Sequence, residues 1–409
     1  MHICVIGGGL TGLLAALRLS KTHKVTIYEK GEEAGGCLSS YQRQGYAIES
    51  FYHHCFSGDS RLISLIEELG ISDQLEWLHG STGYMVNGTI HPLTTPIQIL
   101  RYPHLSVFEK IRLARFVLRS RSADPDKLDD ITAKDYCIDY VGEGVYASFF
   151  EPLLRSKFGD AHGTVSAAWL VSRIAIRSNR GPEGERLGYL RGGFVGLIDA
   201  ITARLDDAGC CLQKGHAVES ARFADGGWIV DGKRYDCLIS TLPPQETARI
   251  CSVPLQPLPY QGAACLTLGM SIDPAAGIYW VNMGDPAPYG AVIVHTNFVP
   301  FDRYGEHIVY IASYFLNQLP KDCKEHFIRD FCKRFSIPRE AIHWHTLCIE
   351  PDAGPVYVTG YRAHIPHSQP APGLFLAGMF SVENYPERSM EGSVRAGERI
   401  ADEVLEWLK

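Results

Sequence analysis

The chain has 409 residues, 45% of them hydrophobic, and a formal net charge of -7. Its length and apolar content support a large core in two or three structural units, and the acid excess excludes general nucleic-acid binding. The 12 cysteines are scattered, with Cys210 and Cys211 adjacent and no C-x-x-C pair; this points to reduced thiols in a cytoplasmic protein, with neither disulfides nor a metal site.

The first elements are written in MHICVIGGGLTGLLAALRL. The apolar run Ile3 to Ile6 breaks into Gly7, Gly9 and Gly12, spaced G-x-G-x-x-G, and continues as an amphipathic helix. A strand, a glycine turn and a helix in that order predict the first unit of a dinucleotide-binding fold. Gly7 permits the tight turn, Gly9 lets backbone approach a pyrophosphate, and Gly12 lets the helix lie close on the strands. The pyrophosphate then meets the free N–H groups and positive dipole end of that helix. The run has neither a basic leader nor a cleavage site, so it reads as a core strand and not a signal peptide. No window is apolar enough for a membrane span. A second strand, Lys24 to Tyr28, ends in Glu29, an acid placed to bind ribose hydroxyls.

Downstream, EKGEEAGGCLSS brings a second glycine pair, Gly35 and Gly36. A nicotinamide fold has no standard use for it, whereas FAD does. On these motifs the sequence resembles the FAD-containing superfamily of flavin amine oxidases, protoporphyrinogen oxidases, phytoene-type desaturases and UDP-galactopyranose mutases. The resemblance implies non-covalent FAD held along Gly7, Gly8, Gly9, Leu10, Thr11 and Gly12, then Glu29, Lys30, Gly35, Gly36, Cys37 and Leu38. Cys37 stands where the superfamily commonly has a basic residue.

In GYAIESFYHHCFSGD the resemblance places Glu49 at a strand end beside the cofactor, with the following loop running along the isoalloxazine ring. Two adjacent histidines there, His53 and His54, are the candidate catalytic groups, since an imidazole moves a proton near neutral pH. A packing or hydrogen-bonding role is the alternative. Neighbouring side chains in an extended segment point to opposite sides, so at most one faces the pocket.

The segment from Pro96 to Ser122 carries Arg101, Lys110, Arg112, Arg115, Arg119 and Arg121 against the single acid Glu109. From Ser106 it predicts a helix with Phe108, Ile111, Leu113, Phe116, Val117 and Leu118 on a broad apolar face. Such a helix lies on an anionic membrane surface, or is a core helix with a basic solvent face; the second is the commoner arrangement, because Arg stems cover apolar surface on ordinary helices. FEPLLRSKFGDAHGTVSAAWLVSRIAIRS resembles the helical insertion of protoporphyrinogen oxidase-like and desaturase-like members. Arg155, Lys157 and Arg173 are its candidate anion contacts.

GYLRGGFVGLIDAITARL reads as re-entry into the FAD-binding domain, with Gly192 and Gly193 opening a helix. Strands follow over His216 to Ala221 and Trp228 to Val230, with Asp231-Gly232 as a hairpin turn. By the resemblance, Val218 lies beside the adenine through its backbone. The last segment predicts a strand from Leu374 to Ala377, broken at Gly378, and a helix with Ala396, Ile400, Val404 and Leu408 on one face. The resemblance adds Gly378, Met379, Gly392, Ser393 and Val394 to the flavin contacts, with Met379 in place of the usual acid.

The reading is an α/β protein. A discontinuous Rossmann-type FAD-binding domain (1–50, 188–257, 346–409) joins a substrate domain made of a helical insertion (51–187) and a mixed or antiparallel sheet (258–345). The resemblance implies an FAD-dependent oxidoreductase that dehydrogenates a lipophilic or anionic small molecule, as protoporphyrinogen oxidases and isoprenoid desaturases do. Alternatives are a mutase-like flavin isomerase acting on a sugar nucleotide, an amine oxidase, or a non-catalytic FAD protein. A cytoplasmic protein, with or without peripheral contact to the cytoplasmic face of the membrane, is expected; the oligomeric state stays open.

Overall fold

A computed structural model describes residues 1–177, 185–316, 318–319 and 321–409. Its organising layer is a five-stranded parallel sheet in the order Leu374–Leu376, Cys237–Ser240, His2–Ile6, Lys24–Tyr28, Cys211–Gln213. Apart from His2–Ile6 and Lys24–Tyr28, neighbours in this sheet lie more than a hundred residues apart in sequence. Such strands read as short apolar runs because both faces are covered, and Ile3, Val5, Val25 and Ile27 are all buried.

The helix Leu10–Leu19 lies between the sheet and two others, Val195–Asp207 and Met390–Trp407. Small residues set the spacing. A Cβ on Gly12 would come within 2.1 Å of the Gly7 carbonyl oxygen, and one on Gly397 within 2.7 Å of the Thr11 carbonyl oxygen. On the C-terminal helix Ala396, Ile400 and Val404 are fully buried, as their spacing predicts.

A second sheet has seven strands, in the order Ile342–Pro355, Tyr260–Met270, His307–Phe315, Ala291–Val294, Trp280–Met283, Thr82–Val86, Thr89–Pro92. It is antiparallel except where Trp280–Met283 pairs with Thr82–Val86. The boundary expected between 345 and 346 therefore falls inside the long strand Ile342–Pro355, and the stretch read as a helical insertion contributes a hairpin to the sheet. That hairpin was hidden because its two strands are short and its partners lie some two hundred residues away. Most of the remaining insertion is helical, over Val107–Ser120, Ala133–Val141, Glu151–Phe158 and Ala167–Arg177; its part from 178 to 184 lies outside the described residues.

Between the two units, Glu185–Leu190 pairs with Leu75–Gly80. The three strands Ala221–Ala224, Gly227–Val230 and Lys233–Tyr235 form a meander whose first turn past Val230 is Asp231-Gly232, both at positive φ (45° and 83°). The expected strand from His216 begins only at Ala221; His216 to Ser220 is irregular backbone whose bonds go elsewhere, with the His216 N–H donating to the Glu29 carbonyl at 2.8 Å.

Candidate active site

The two glycine turns meet backbone to backbone. The Gly35 N–H donates to the Gly8 carbonyl at 2.8 Å, and Gly9 and Gly35 form an isolated bridge. A Cβ built on Gly36 would have only Gly9 backbone near it, at 3.3 Å, and one on Gly9 only the Gly36 Cα, at 4.0 Å. Gly7 and Gly35 need the left-handed region, at φ +104° and +117°, which glycine alone enters without strain. The helix from Leu10 starts at Gly9 with no side-chain cap and no acid in its first turn. Its leading N–H groups thus have no partner from the helix itself, which is the electrostatic requirement for a diphosphate.

Glu29 is buried at the end of its strand. Its carboxylate accepts the Gly8 N–H at 2.6 Å and the Gly31 N–H at 2.7 Å, and the remaining lone pairs are available to ribose hydroxyls. The Glu29 N–H donates to the Gln213 carbonyl at 2.9 Å, which seats the loop carrying Val218 beside this corner. Lys30 points outward and pairs with Glu350 at 3.6 Å. Leu10 and Leu38 are buried, and the Thr11 hydroxyl donates to the Ser393 carbonyl at 3.2 Å, joining the two helix starts.

At the other end of the chain, Gly378 donates to Ser381 Oγ at 2.9 Å and accepts from Asn384 Nδ2 at 3.1 Å, while Met379 is half-buried. The Gly392 N–H donates to the Ser389 hydroxyl that caps the helix, at 3.0 Å, so this group is already committed. The Ser393 N–H closes on the Ser389 carbonyl, and the Val394 side chain lies in the core.

Glu49 serves the scaffold. It is fully buried, accepting the Tyr189 hydroxyl and the Phe194 N–H, each at 2.9 Å. Burial raises its carboxyl above the ordinary range against the pull of those donors.

The two histidines after it separate as alternation predicts. His54 stacks edge-on against Phe56, Trp280 and Phe298, with Nδ1 3.2 Å from the Tyr279 hydroxyl. His53 turns toward Arg388 and Lys157. Its Nδ1 lies 2.7 Å from the Phe51 carbonyl, which only accepts, so Nδ1 carries the proton and Nε2 is an open acceptor. Burial and these two cations hold the imidazole down at about 4.

Around His53 stands a chamber of aromatic walls and cations. Lys157, in the last turn of Glu151–Phe158, places Nζ 5.4 Å from the Trp280 ring centre and 5.5 Å from that of Tyr314. Arg388 crosses the same Tyr314 ring at 5.7 Å, entering where a Cβ on Gly354 would lie 2.6 Å from its Nε. The Tyr52 and Tyr314 hydroxyls are 3.3 Å apart. Enclosure lowers the Lys157 ammonium to about 8. Burial acts to raise the Tyr314 phenol, but Lys157 and Arg388 outweigh it and leave it below its ordinary value. Neither cation forms an ion pair among the described residues; the nearest acid, Glu387, is paired with Arg173 at 3.3 Å.

Of the three basic residues proposed from sequence in this insertion, Lys157 lines the chamber and Arg173 holds Glu387 at its edge. Arg155 faces outward and pairs with Glu151 at 2.9 Å. Sequence reading missed Arg388, Tyr314 and Trp280. Arg388 also lies close enough to Cys37 to act on its thiol, which burial pushes up to about 11. Glu350 and Lys30 act on the same thiol, and the only signal of Arg388 in sequence is an arginine in PERSM.

The sequence profile of the flavin containing amine oxidoreductases matches residues 10–405. The chain belongs to that family. The paired glycine turns and the uncapped helix start fit a flavin dinucleotide. Coproporphyrinogen III oxidase of Propionibacterium freudenreichii is 25% identical over 57% of this chain and 54% of its own length. The enzyme of the same name from Bacillus subtilis is 27% identical over 37% of this chain and 36% of its own. The match thus spans from about a third to about half of these relatives' length. Among solved structures, a chain from Exiguobacterium sp. 255-15 provisionally named a protoporphyrinogen oxidase superposes with a TM-score of 0.80, at 19% identity and 99% coverage of both chains. A reduced UDP-galactopyranose mutase superposes at 0.74, with 18% identity and 99% and 95% coverage. At these identities the likeness establishes the shared fold.

Gly9 separates folding from flavin binding. Its φ of -73° suits any residue and its Cβ position is open, so Gly9→Ala is expected to purify without the flavin absorbance bands and to melt at the temperature of the flavin-stripped unsubstituted protein. Retention of full yellow colour would place the diphosphate elsewhere.

Proposed function

We propose that this oxidoreductase dehydrogenates an anionic organic substrate held in the Lys157–Arg388 chamber, the class to which carboxylated porphyrinogens belong. The observation that carries the reading is a pair of half-buried cations with no ion-pair partner among the described residues, walled by flat aromatic rings. A buried charge left alone is costly, and an anionic substrate group meets that requirement. A purely hydrocarbon substrate, as in the desaturases, gains nothing from it. The partial matches to coproporphyrinogen III oxidases point the same way.

FAD, bound without a covalent link, supplies the hydride acceptor. The chain's residues do the rest. Lys157 and Arg388 anchor the substrate's anionic group; Trp280 and Tyr314 orient its plane and exclude water. His53 Nε2, neutral at pH 7, accepts the proton that leaves as the hydride departs. Oxygen or another carrier takes the electrons onward.

Anaerobic addition of a carboxylated porphyrinogen is expected to bleach the flavin bands. Bleaching by NADPH alone, with no response to any porphyrinogen, would move the protein to the mutase-like class. His53→Ala is expected to lower kcat by about a hundredfold or more while flavin content stays full; unchanged kcat would assign the histidine to packing.

Lys157→Met or Arg388→Met is expected to raise KM for the anionic substrate at least about tenfold with little change in the flavin spectrum. Lys157 is cationic below its value of about 8 and neutral above it, so substrate affinity falls as pH rises through 8. Loss of the Tyr314 proton acts in the same direction, and Arg388, held above its ordinary value, stays charged throughout. Lys157→Arg should abolish the lysine's part of that fall, and a profile unaltered in this variant would exclude the lysine as the anchor.

A further inference from the structure

The helix Val107–Ser120, read from sequence as carrying one broad apolar face, carries two. Toward the protein, Leu113, Phe116 and Ser120 are buried against Ala133–Val141 and Ala167–Arg177. Away from it, Val107 (70% exposed), Phe108 (79%), Ile111 (50%) and Leu118 (62%) face solvent. At about 100° per residue, Val107, Ile111 and Leu118 fall on one narrow stripe with Phe108 at its flank. The short helix Pro96–Arg101 adds Ile97 and Leu100, both exposed, and Lys110 Nζ ties the two helices by donating to the Leu100 carbonyl at 2.8 Å.

Cations border this stripe on both sides. Arg112, Arg115 and Arg119 lie along one side of it and Lys110 and Arg121 along the other, with Arg101 at the end of the short helix; all but the half-buried Lys110 are exposed. The one acid, Glu109, is occupied by the helix start, accepting the Ser106 N–H and hydroxyl at 2.7 Å each. This concentration of positive charge stands on a chain whose net charge is -7. Among the described residues no helix is long and apolar enough to cross a membrane.

We propose that the face formed by Pro96–Arg101 and Val107–Ser120 docks on the surface of an anionic lipid bilayer, lying parallel to it. The apolar stripe enters the acyl boundary and the arginines meet lipid phosphates, the arrangement that holds interfacial helices. Charge complementarity favours lipid over a second copy of the chain, because self-pairing of this face sets arginine against arginine. The inner side of the same helix packs on Ala167–Arg177, which carries Arg173 at the chamber's edge, so the docked face is one helix away from the substrate site.

The test is sedimentation of the flavin-loaded protein with phosphatidylcholine vesicles, with and without phosphatidylglycerol. Binding is expected only with phosphatidylglycerol, weakening with salt. Phe108→Ser with Ile111→Ser, or Arg112→Glu with Arg115→Glu, should each lower vesicle affinity at least about tenfold. Both pairs are solvent-facing, so flavin content and melting temperature should not change. Failure to bind anionic vesicles at low salt, equal binding to neutral ones, or indifference to both double variants would overturn the proposal. So would a dimer in solution that Phe108→Ser dissociates without any vesicle binding, which would assign the face to a second copy.

Discussion

The contact between Gly9 and Gly36 is the constraint on which the cofactor end of the molecule depends. Two chain reversals approach until a Cβ on Gly36 would press on the Gly9 backbone at 3.3 Å, while one on Gly9 would stand at ordinary contact distance, and what they present outward is bare backbone. A side chain there would fill the space a diphosphate needs without necessarily disturbing the strands. The surrounding packing enforces this approach. Gly12 lets the first helix close on its own turn, Gly397 lets the C-terminal helix close on the first, and the Thr11 hydroxyl links both helix starts through the Ser393 carbonyl. The glycines thus do separate jobs at separate distances, and only some of them face the ligand.

The chamber follows a different logic, in which charge is isolated by enclosure. Lys157 arrives from the helical insertion, Tyr314 and Trp280 from the second sheet, Arg388 from the loop before the C-terminal helix, and His53 from the loop after Glu49. Low dielectric strengthens every interaction among them, which is why the lysine, the phenol and the imidazole all shift from their ordinary ranges. Glu49 shows the contrast. More deeply buried than the lysine, the phenol or the imidazole, it is satisfied by Tyr189 and Phe194 and anchors a helix start, so its perturbed carboxyl marks a structural joint.

How much was legible follows from which interactions are local. The strand, turn, helix and acid order of the first thirty residues carries its own context, and the burial of Ala396, Ile400 and Val404 follows from a 3.6-residue period. Alternation in an extended segment correctly separated His53 from His54, although not which one faced the cations. The hairpin over Thr82–Pro92 escaped notice because a strand that short is identified only by the neighbour it pairs with. The exposure of Phe108, Ile111 and Leu118 escaped for a related reason: with apolar residues on both sides of a helix, periodicity does not say which side meets the core.

The sequence by itself determined the dinucleotide fold, its two glycine turns and the excess of positive charge in one helical segment, because each rests on backbone conformation or spacing within a few residues. Only the tertiary structure decided that Arg388 comes to lie near Cys37 and Tyr314, that Lys157 and not Arg155 enters the chamber, and that the basic helix leaves an apolar stripe uncovered. Those outcomes depend on which distant surfaces come together and which remain in water, and local chain preferences do not encode that choice.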